Sequence, residues 1–314
     1  MQVTVGAFDA PYHAPVLVAE VLQLLGHVRS VLDGTLGGGG HSAALIAAGA
    51  RVTALDRDPA AIAAARARLA SAEREGTFEA LCANFAVVGD VPSLAGRTFD
   101  GILLDLGVSS HQLDDAQRGF TFREGSPLDM RMGADAPITA AQWLNESAEP
   151  ALAQAFREWA DERKAMRLAR VIGKRRANRA FVTSDDLVGA IREALGARSG
   201  PGDFARLFQA VRIAVNGELS ALEQALPVLR DRLAPGGVMA VIAYHSGEDR
   251  LVKHALRAWS EDCVCPPRQP ICNCGGDHAL GQVVTRRAIT AGETEAGRNA
   301  RARSARLRGW RRKG

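Results

Sequence analysis

This sequence predicts an α/β protein, a parallel sheet wound with helices and interrupted by a helical region. Three observations carry the prediction. Four short apolar runs, at Ser30–Asp33, Arg51–Asp56, Phe78–Cys82 and residues 99–107, alternate with segments of helical period such as 59–72. From about residue 115 to 212 strand signals vanish and helical ones take over. A helix-like segment at 220–233, a Pro235-Gly236-Gly237 turn and an apolar run at 238–244 then resume the first pattern. Strand and helix in alternation make βαβ units, and a crossover helix returns the chain so that successive strands lie parallel. The expected organisation is an α/β domain split between residues 1–115 and 213–314, with a helical domain at 116–212 inserted into it.

The elements follow in order. The first strand ends in Asp33 and leads into a glycine loop, Gly37 to Gly40; the second ends in Asp56; the third is followed by Asn84-Phe85. The fourth reads Asp100-Gly101-Ile102-Leu103-Leu104-Asp105-Leu106-Gly107 and brings Asp105 to its end. In the helical region, 140–144, 150–176 and 183–195 read as helices, the last opening with a Thr183-Ser184-Asp185-Asp186 cap. The chain of 314 residues is 47% hydrophobic and 24% charged, enough for a sizeable core. No apolar run approaches the roughly 18 residues of a membrane span, and no signal peptide opens the chain, so a cytoplasmic protein without a membrane partner is expected.

Net charge is only +4, but it is unevenly distributed. Residues 163–179 carry eight Lys and Arg and no acid, and 298–314 carry another eight in what reads as a basic tail. Two such zones imply a polyanion. Arg163, Arg167, Arg170 and Lys174 are spaced four, three and four apart, which puts them on one helix face. A solvated charged face is the plain alternative; RNA phosphate contact is favoured because the tail, with Arg301 and Arg303, adds a second zone.

The glycine loop is the most informative stretch. His41-Ser42 follows Gly40 where a phosphate loop needs Gly-Lys-Ser/Thr, which disfavours nucleoside triphosphate hydrolysis. A nicotinamide fingerprint is compatible in spacing, with Gly37, Gly39 and an acid at Asp56. Asp33 discriminates. A carboxylate at that strand end repels pyrophosphate but suits an ammonium or sulfonium, and S-adenosylmethionine carries both. In that reading Gly37 and Gly39 let the backbone approach the methionine moiety, Asp56 accepts from the ribose hydroxyls, Phe85 stacks on adenine and Asp105 lies beside the sulfonium.

Two further sets of residues bear on chemistry. Methylation at C5 of cytosine needs a cysteine nucleophile, commonly after proline, and no Pro-Cys occurs here. An exocyclic amine needs only to be held in line with the methyl group, with acceptors such as Asp105, Ser109 and Ser110 nearby; equally, Ser109-Ser110 turns the chain and Asp105 touches cofactor alone. Cys263, Cys265, Cys272 and Cys274 form two Cys-x-Cys pairs that allow a structural zinc site, a reduced redox-sensitive cluster or plain packing. Cys82, in an apolar strand, reads as core, and His245 ends the last apolar run where it can line a site.

Together these segments resemble the bacterial 16S ribosomal RNA cytosine-N4 methyltransferase family, also called MraW. The resemblance rests on His13-Ala14-Pro15-Val16-Leu17, the stretch from Asp33 to Ser42, Asp56-Arg57-Asp58-Pro59, the run from Asp100 to Asp114, Arg118-Gly119-Phe120, Pro127-Leu128-Asp129-Met130-Arg131-Met132, Phe208-Gln209-Ala210-Val211-Arg212-Ile213, His245-Ser246 with Glu248-Asp249-Arg250, and Arg301-Ala302-Arg303-Ser304. It implies a class I, Rossmann-like S-adenosylmethionine-dependent methyltransferase fold with an inserted helical domain. It further implies cofactor contacts at Gly39, Gly40, His41, Asp56, Phe85, Asp105 and Gln112. The implied substrate is 16S rRNA in the small ribosomal subunit, at N4 of cytosine 1402 of the decoding centre, and no stable protein partner is implied. Departures are local: His111 and Ala300 stand where prolines are usual, Gly247 where a leucine is, and Trp159-Ala160-Asp161-Glu162-Arg163 replaces a Gly-Glu-Glu-Arg pattern. A nicotinamide oxidoreductase, a catalytically silent RNA-binding protein and a DNA cytosine methyltransferase are the competing expectations.

Overall fold

The computed structural model describes residues 15–266, 269 and 271–314, with the backbone alone described at Ser110, His111 and Ala300. His13 and Ala14 of the first matching segment lie outside it. The chain divides into two compact units, one running up to Gly107 and resuming at Leu219–Gly314, the other spanning Val108–Glu218.

In the first unit, helix α1 (Val18–Leu25) leads to strand β1 (Ser30–Asp33), α2 (Gly40–Ala47), β2 (Arg51–Asp56), α3 (Pro59–Arg68), α4 (Ala70–Arg74), β3 (Phe78–Cys82) and β4 (Phe99–Asp105). The sequence read 59–72 as one helix; the chain leaves helical geometry at Leu69 (φ −106°, ψ 22°) and makes two. Successive strand residues face opposite sides of the sheet. Val31, Val52, Ala54 and Leu103 therefore pack into one core, and Leu32, Leu55, Ile102 and Leu104 into the other. Burial on both faces is why these strands read as unbroken apolar runs.

The second unit is helical: α5 (Ser110–Asp114), α6 (Ala140–Glu146), α7 (Glu149–Ala160), α8 (Ala165–Arg176), α9 (Ser184–Leu195) and α10 (Pro201–Asn216). The expected helix at 150–176 is broken at Asp161, whose φ is +48°. Glu162 causes the break. Its side chain is buried, accepts a hydrogen bond from the Lys164 N–H and pairs with Arg206, a geometry a continuous helix does not provide. The Thr183 cap is present: the Asp186 carboxylate accepts from the Thr183 N–H at 2.9 Å and from its hydroxyl at 3.4 Å, and the Asp186 N–H donates to the Thr183 carbonyl.

The chain returns to the sheet through α11 (Glu218–Asp231) into β5 (Leu233–Ala243), followed by α12 (Ser246–Ala258), β6 (Gly281–Val283), α13 (Glu293–Arg298) and β7 (Arg306–Arg312). Pro235-Gly236-Gly237, expected as a turn before the strand, lies inside β5. Pairing there jumps from Phe99↔Leu233 to Gly101↔Val238, so the three residues bulge out of a continuous strand. The expected basic tail is also corrected. Residues 306–312 form β7, antiparallel to both β5 and β6, and Leu307 and Trp310 are fully buried. Cys82, expected in the core, is exposed.

The strand order is β3-β2-β1-β4-β5-β7-β6, with β1 to β5 parallel. This is the class I, Rossmann-like arrangement. Its order reverses between β1 and β4, the crevice where open α/β sheets bind ligands at the carboxyl ends of their strands. Among the described residues no helix is long and apolar enough to cross a membrane.

Candidate active site

Asp33, Asp56 and Asp105 end β1, β2 and β4, three neighbours in the sheet, so their carboxyls meet at one edge. Each is held by the loops around it. Asp33 accepts hydrogen bonds from the Ser42 hydroxyl (2.7 Å) and the Thr35 N–H (3.1 Å). Asp56 accepts from the N–H groups of Gly37 and Asp58, both at 2.8 Å. Asp105 accepts from the Tyr244 hydroxyl at 2.8 Å, while its own N–H donates to the Thr35 hydroxyl at 2.5 Å. His41 Nε2 lies 3.4 Å from the other Asp105 oxygen, and neither ring nitrogen has a hydrogen-bond partner among the described residues although the ring is buried.

Along this edge Asp105 opposes the charge of Asp33, and Asp33 that of Asp56. Burial pushes the Asp33 carboxyl above its ordinary range, against the Ser42 hydrogen bond, and the Asp105 charge adds to the push. Burial likewise raises Asp56 to about 6, with the Asp58 and Asp33 charges contributing. The Tyr244 hydroxyl is lifted well above a phenol's usual value by burial, by the Asp105 charge and by their hydrogen bond, and the Arg301 charge works in the opposite direction. A cation at this edge relieves the repulsion; an anion compounds it.

The glycines divide the work unequally. Gly37 (φ 50°) and Gly39 (φ 74°) occupy the left-handed region that disfavours side chains. A Cβ at Gly37 would meet nothing within 4 Å, so this residue leaves open space above the loop. One at Gly39 would press on Ala65 and Leu69 at 3.3 Å, and one at Gly40 would come within 3.0 Å of the Pro15 ring. Those two permit helix packing. Gly37 is thus the one of the three whose Cβ position is open, and Gly39 and Gly40 stay as expected backbone contacts of a cofactor.

Phe85 opens a short 3-10 turn, 85–87, capped by the Asn84 side chain, and is half-buried beside the β3 end. Tyr244, which lies at the end of the 238–244 apolar run and was given no role there, bonds directly to Asp105. The signal was present in Tyr244-His245-Ser246 directly after β5. His245 also caps the following helix. Its Nδ1 accepts from the N–H groups of Gly247 and Glu248 while Glu248 bonds back to the His245 N–H, a reciprocal cap on α12.

Compared with known proteins, residues 10–313 match the model of the MraW methylase family. The chain belongs to the MraW methylase family. Curated relatives agree. The chain is 60% identical over 300 residues to "Ribosomal RNA small subunit methyltransferase H" of Gemmatimonas aurantiaca, covering 96% of this chain and 95% of the relative. Proteins of the same name from Heliobacterium mobile (46% identity, 90% and 93% coverage) and Myxococcus xanthus (44%, 90% and 91%) are also similar.

For a methylase of this family the methyl donor is S-adenosylmethionine, and the strand-end residues suit it. Its ammonium and sulfonium answer the three carboxylates, the His41 ring nitrogens can meet a polar ligand, and Gly37 leaves the loop open. In the helical unit, Gln112 is buried; it and Ser109 bond reciprocally, the Ser109 N–H to Gln112 Oε1 at 3.1 Å and the Gln112 N–H to Ser109 Oγ at 3.2 Å. Ser109 thus caps α5, and the Ser110 side chain lies outside the described residues. Arg167, Arg170 and Lys174 share the exposed face of α8, and Arg163 is exposed just before that helix begins. Arg303 is exposed and its Nε donates to the Ala296 carbonyl, whereas Arg301 is half-buried.

Proposed function

We propose that this chain methylates the exocyclic N4 amine of a cytosine in small-subunit ribosomal RNA, with cytosine 1402 of 16S rRNA as the target. The observation that carries the reading is the edge formed by buried Asp33 and half-buried Asp56 and Asp105, with Asp33 opposed by Asp105 and Asp56 by Asp33, an arrangement suited to a cationic cofactor. Bound S-adenosylmethionine supplies an electrophilic methyl group on a sulfonium. Asp33 and Asp56 then bind and orient, the first toward positive charge and the second toward ribose hydroxyls, and Phe85 offers a ring to a base.

Asp105 is the candidate for chemistry. An amine that gains a methyl group becomes a better hydrogen-bond donor as its lone pair leaves the ring, and a fixed carboxylate stabilises that developing charge. Tyr244 and Thr35 hold Asp105 rigidly, so little reorganisation is needed at the moment of transfer. His41 Nε2, 3.4 Å from the other Asp105 oxygen, adds a polar ring beside that carboxylate. Ser109 and Ser110 remain candidates for orienting the base, and the α8 face with Arg163, together with Arg301 and Arg303, for RNA phosphates.

The test is nucleoside mass spectrometry of 16S rRNA from cells with and without the gene, complemented by the wild type or by Asp105→Ala. N4-methylated cytosine should disappear with the gene, return with the wild type and stay absent with the variant. Finding 5-methylcytosine as the gene-dependent product, or no change at any cytosine, would overturn the reading.

A further inference from the structure

We propose that Cys263, Cys265, Cys272 and Cys274 bind one zinc ion as a closed four-thiolate site that fixes the connection between α12 and β6. The four sulfurs lie within 4.8 Å of one another. Neighbouring pairs are separated by 3.6 Å (Cys263–Cys272), 4.0 Å (Cys265–Cys272), 3.5 Å (Cys272–Cys274) and 3.7 Å (Cys263–Cys274). A tetrahedron with zinc–sulfur bonds of about 2.3 Å has edges of about 3.8 Å. These four separations bracket that edge, and all four cysteines are free of disulfides.

Backbone amides around the sulfurs add to the distances. The N–H groups of Gly276 and Val264 point at the Cys274 sulfur, and the N–H of Cys265 at that of Cys263. Such donors neutralise thiolates gathered around a metal, the outer layer a four-sulfur site requires. The Gly275-Gly276 pair makes the donation possible by turning through φ of 81° and 72° immediately after the last cysteine. The Val264 donor also bridges the two Cys-x-Cys segments, so sulfurs and amides form one knot.

The segment needs such a knot. Between Ala258 and Gly281 no described residue after Trp259 joins a hydrophobic core, and Val264 and Ile271 are 64% and 76% exposed. Apart from the cysteines, the ends are tied by the His278 N–H to the Asp262 carbonyl, the Leu280 N–H to the Trp259 carbonyl and an ion pair of Lys313 with Asp277. Ordering a loop of this length without apolar burial is costly, and a metal cross-link offsets that cost. Four protein ligands leave no position for water or substrate, which makes the site structural. It also lies away from the acidic edge, since Gly281 pairs with Arg312, next to the Arg311 that faces Val238 at the start of the paired run of β5. Thiolates select zinc over hard cations such as magnesium.

The test uses the full-length protein purified under reducing conditions without chelator. Elemental analysis should find one zinc per chain, and cobalt substitution should give the intense visible bands of a tetrahedral thiolate site. Cys272→Ser and Cys274→Ser should lose the stoichiometric zinc, while Cys82→Ser keeps it. Chelation should expose the chain to protease between residues 259 and 280 while leaving S-adenosylmethionine affinity unchanged. The proposal fails if the reduced protein is metal-free with four reactive thiols, if iron or copper is the stoichiometric metal, or if the single variants retain a full equivalent of zinc. None of these outcomes bears on the methyltransferase reading, because no cysteine is used in it.

Discussion

Asp56 sits where its charge is opposed by burial and by two other acids, and a measurable pH dependence follows. Its carboxyl titrates near 3.8 in an unfolded chain and at about 6 here. Between those values the folded protein binds more protons than the unfolded one, so stability from this group falls as pH rises through the window, by roughly 3 kcal/mol in all. Denaturant unfolding from pH 4 to pH 7 should show the decline in the wild type and a flatter profile in Asp56→Asn. Cofactor binding runs the other way. A carboxylate that accepts from hydroxyls is needed in its charged form, so S-adenosylmethionine affinity measured by calorimetry should tighten as pH rises through about 6. The Asn variant should bind more weakly, with little pH dependence; equal affinity in both proteins would remove Asp56 from the site. For Tyr244→Phe, loss of the 2.8 Å bond to Asp105 should lower the single-turnover rate by roughly 10- to 150-fold at saturating cofactor, since one hydrogen bond to a charged group contributes about 1.5–3 kcal/mol. An unchanged rate would make Tyr244 a bystander.

At the scale of elements, β7 carries more than its basic composition announces. Trp310 is completely buried, its ring 5.3 Å from that of Trp259, and its indole N–H donates to the Ser260 hydroxyl. Trp310→Ala should cost about 3–5 kcal/mol in urea unfolding. Arg308 grips Asp249 through two hydrogen bonds, of 2.7 and 3.1 Å, in a half-buried setting. Burial alone would raise the Asp249 carboxyl; Arg308, and then Arg306, outweigh it and hold it below the ordinary range. That contribution is present above the unfolded value of 3.8 and is lost as pH falls through the lower folded value. Arg308→Ala should therefore destabilise the protein near neutrality and lose less further stability in acid than the wild type does. Removing everything after Asn299 would take out a strand bonded on both sides, so such a truncation should fail to fold. It cannot serve as a selective probe of RNA binding.

At the scale of the whole molecule, a net charge of +4 leaves RNA affinity to local zones. Reversing Arg167 and Arg170 on α8 should weaken binding to 16S rRNA fragments and reduce the slope of log affinity against log salt by about 0.7–0.9 for each phosphate no longer neutralised. Cofactor affinity should not move. A slope equal to the wild type's would mean that this face is only solvated.

The sequence by itself determined the parallel strands, because a strand buried on both faces needs an uninterrupted apolar run and leaves few other ways to read one. β1, β2 and β3 have the bounds the apolar runs predict, and the acids at the ends of β1, β2 and β4 were legible for the same reason. Breaks in helices were not. The residues around Leu69 and Asp161 are compatible with helix locally, and in the second case the distant Arg206 pairs with Glu162 where α7 ends. β7 alternates Arg306, Leu307, Arg308 and Gly309, a strand period that density of charge disguised until β5 and β6 closed on either side of it. The partners of the acids were likewise decided by tertiary structure. Tyr244 reaches Asp105 across 139 residues of sequence and Thr35 across 70, since hydrogen bonds depend on which strand ends the sheet makes neighbours, and no local pattern records that.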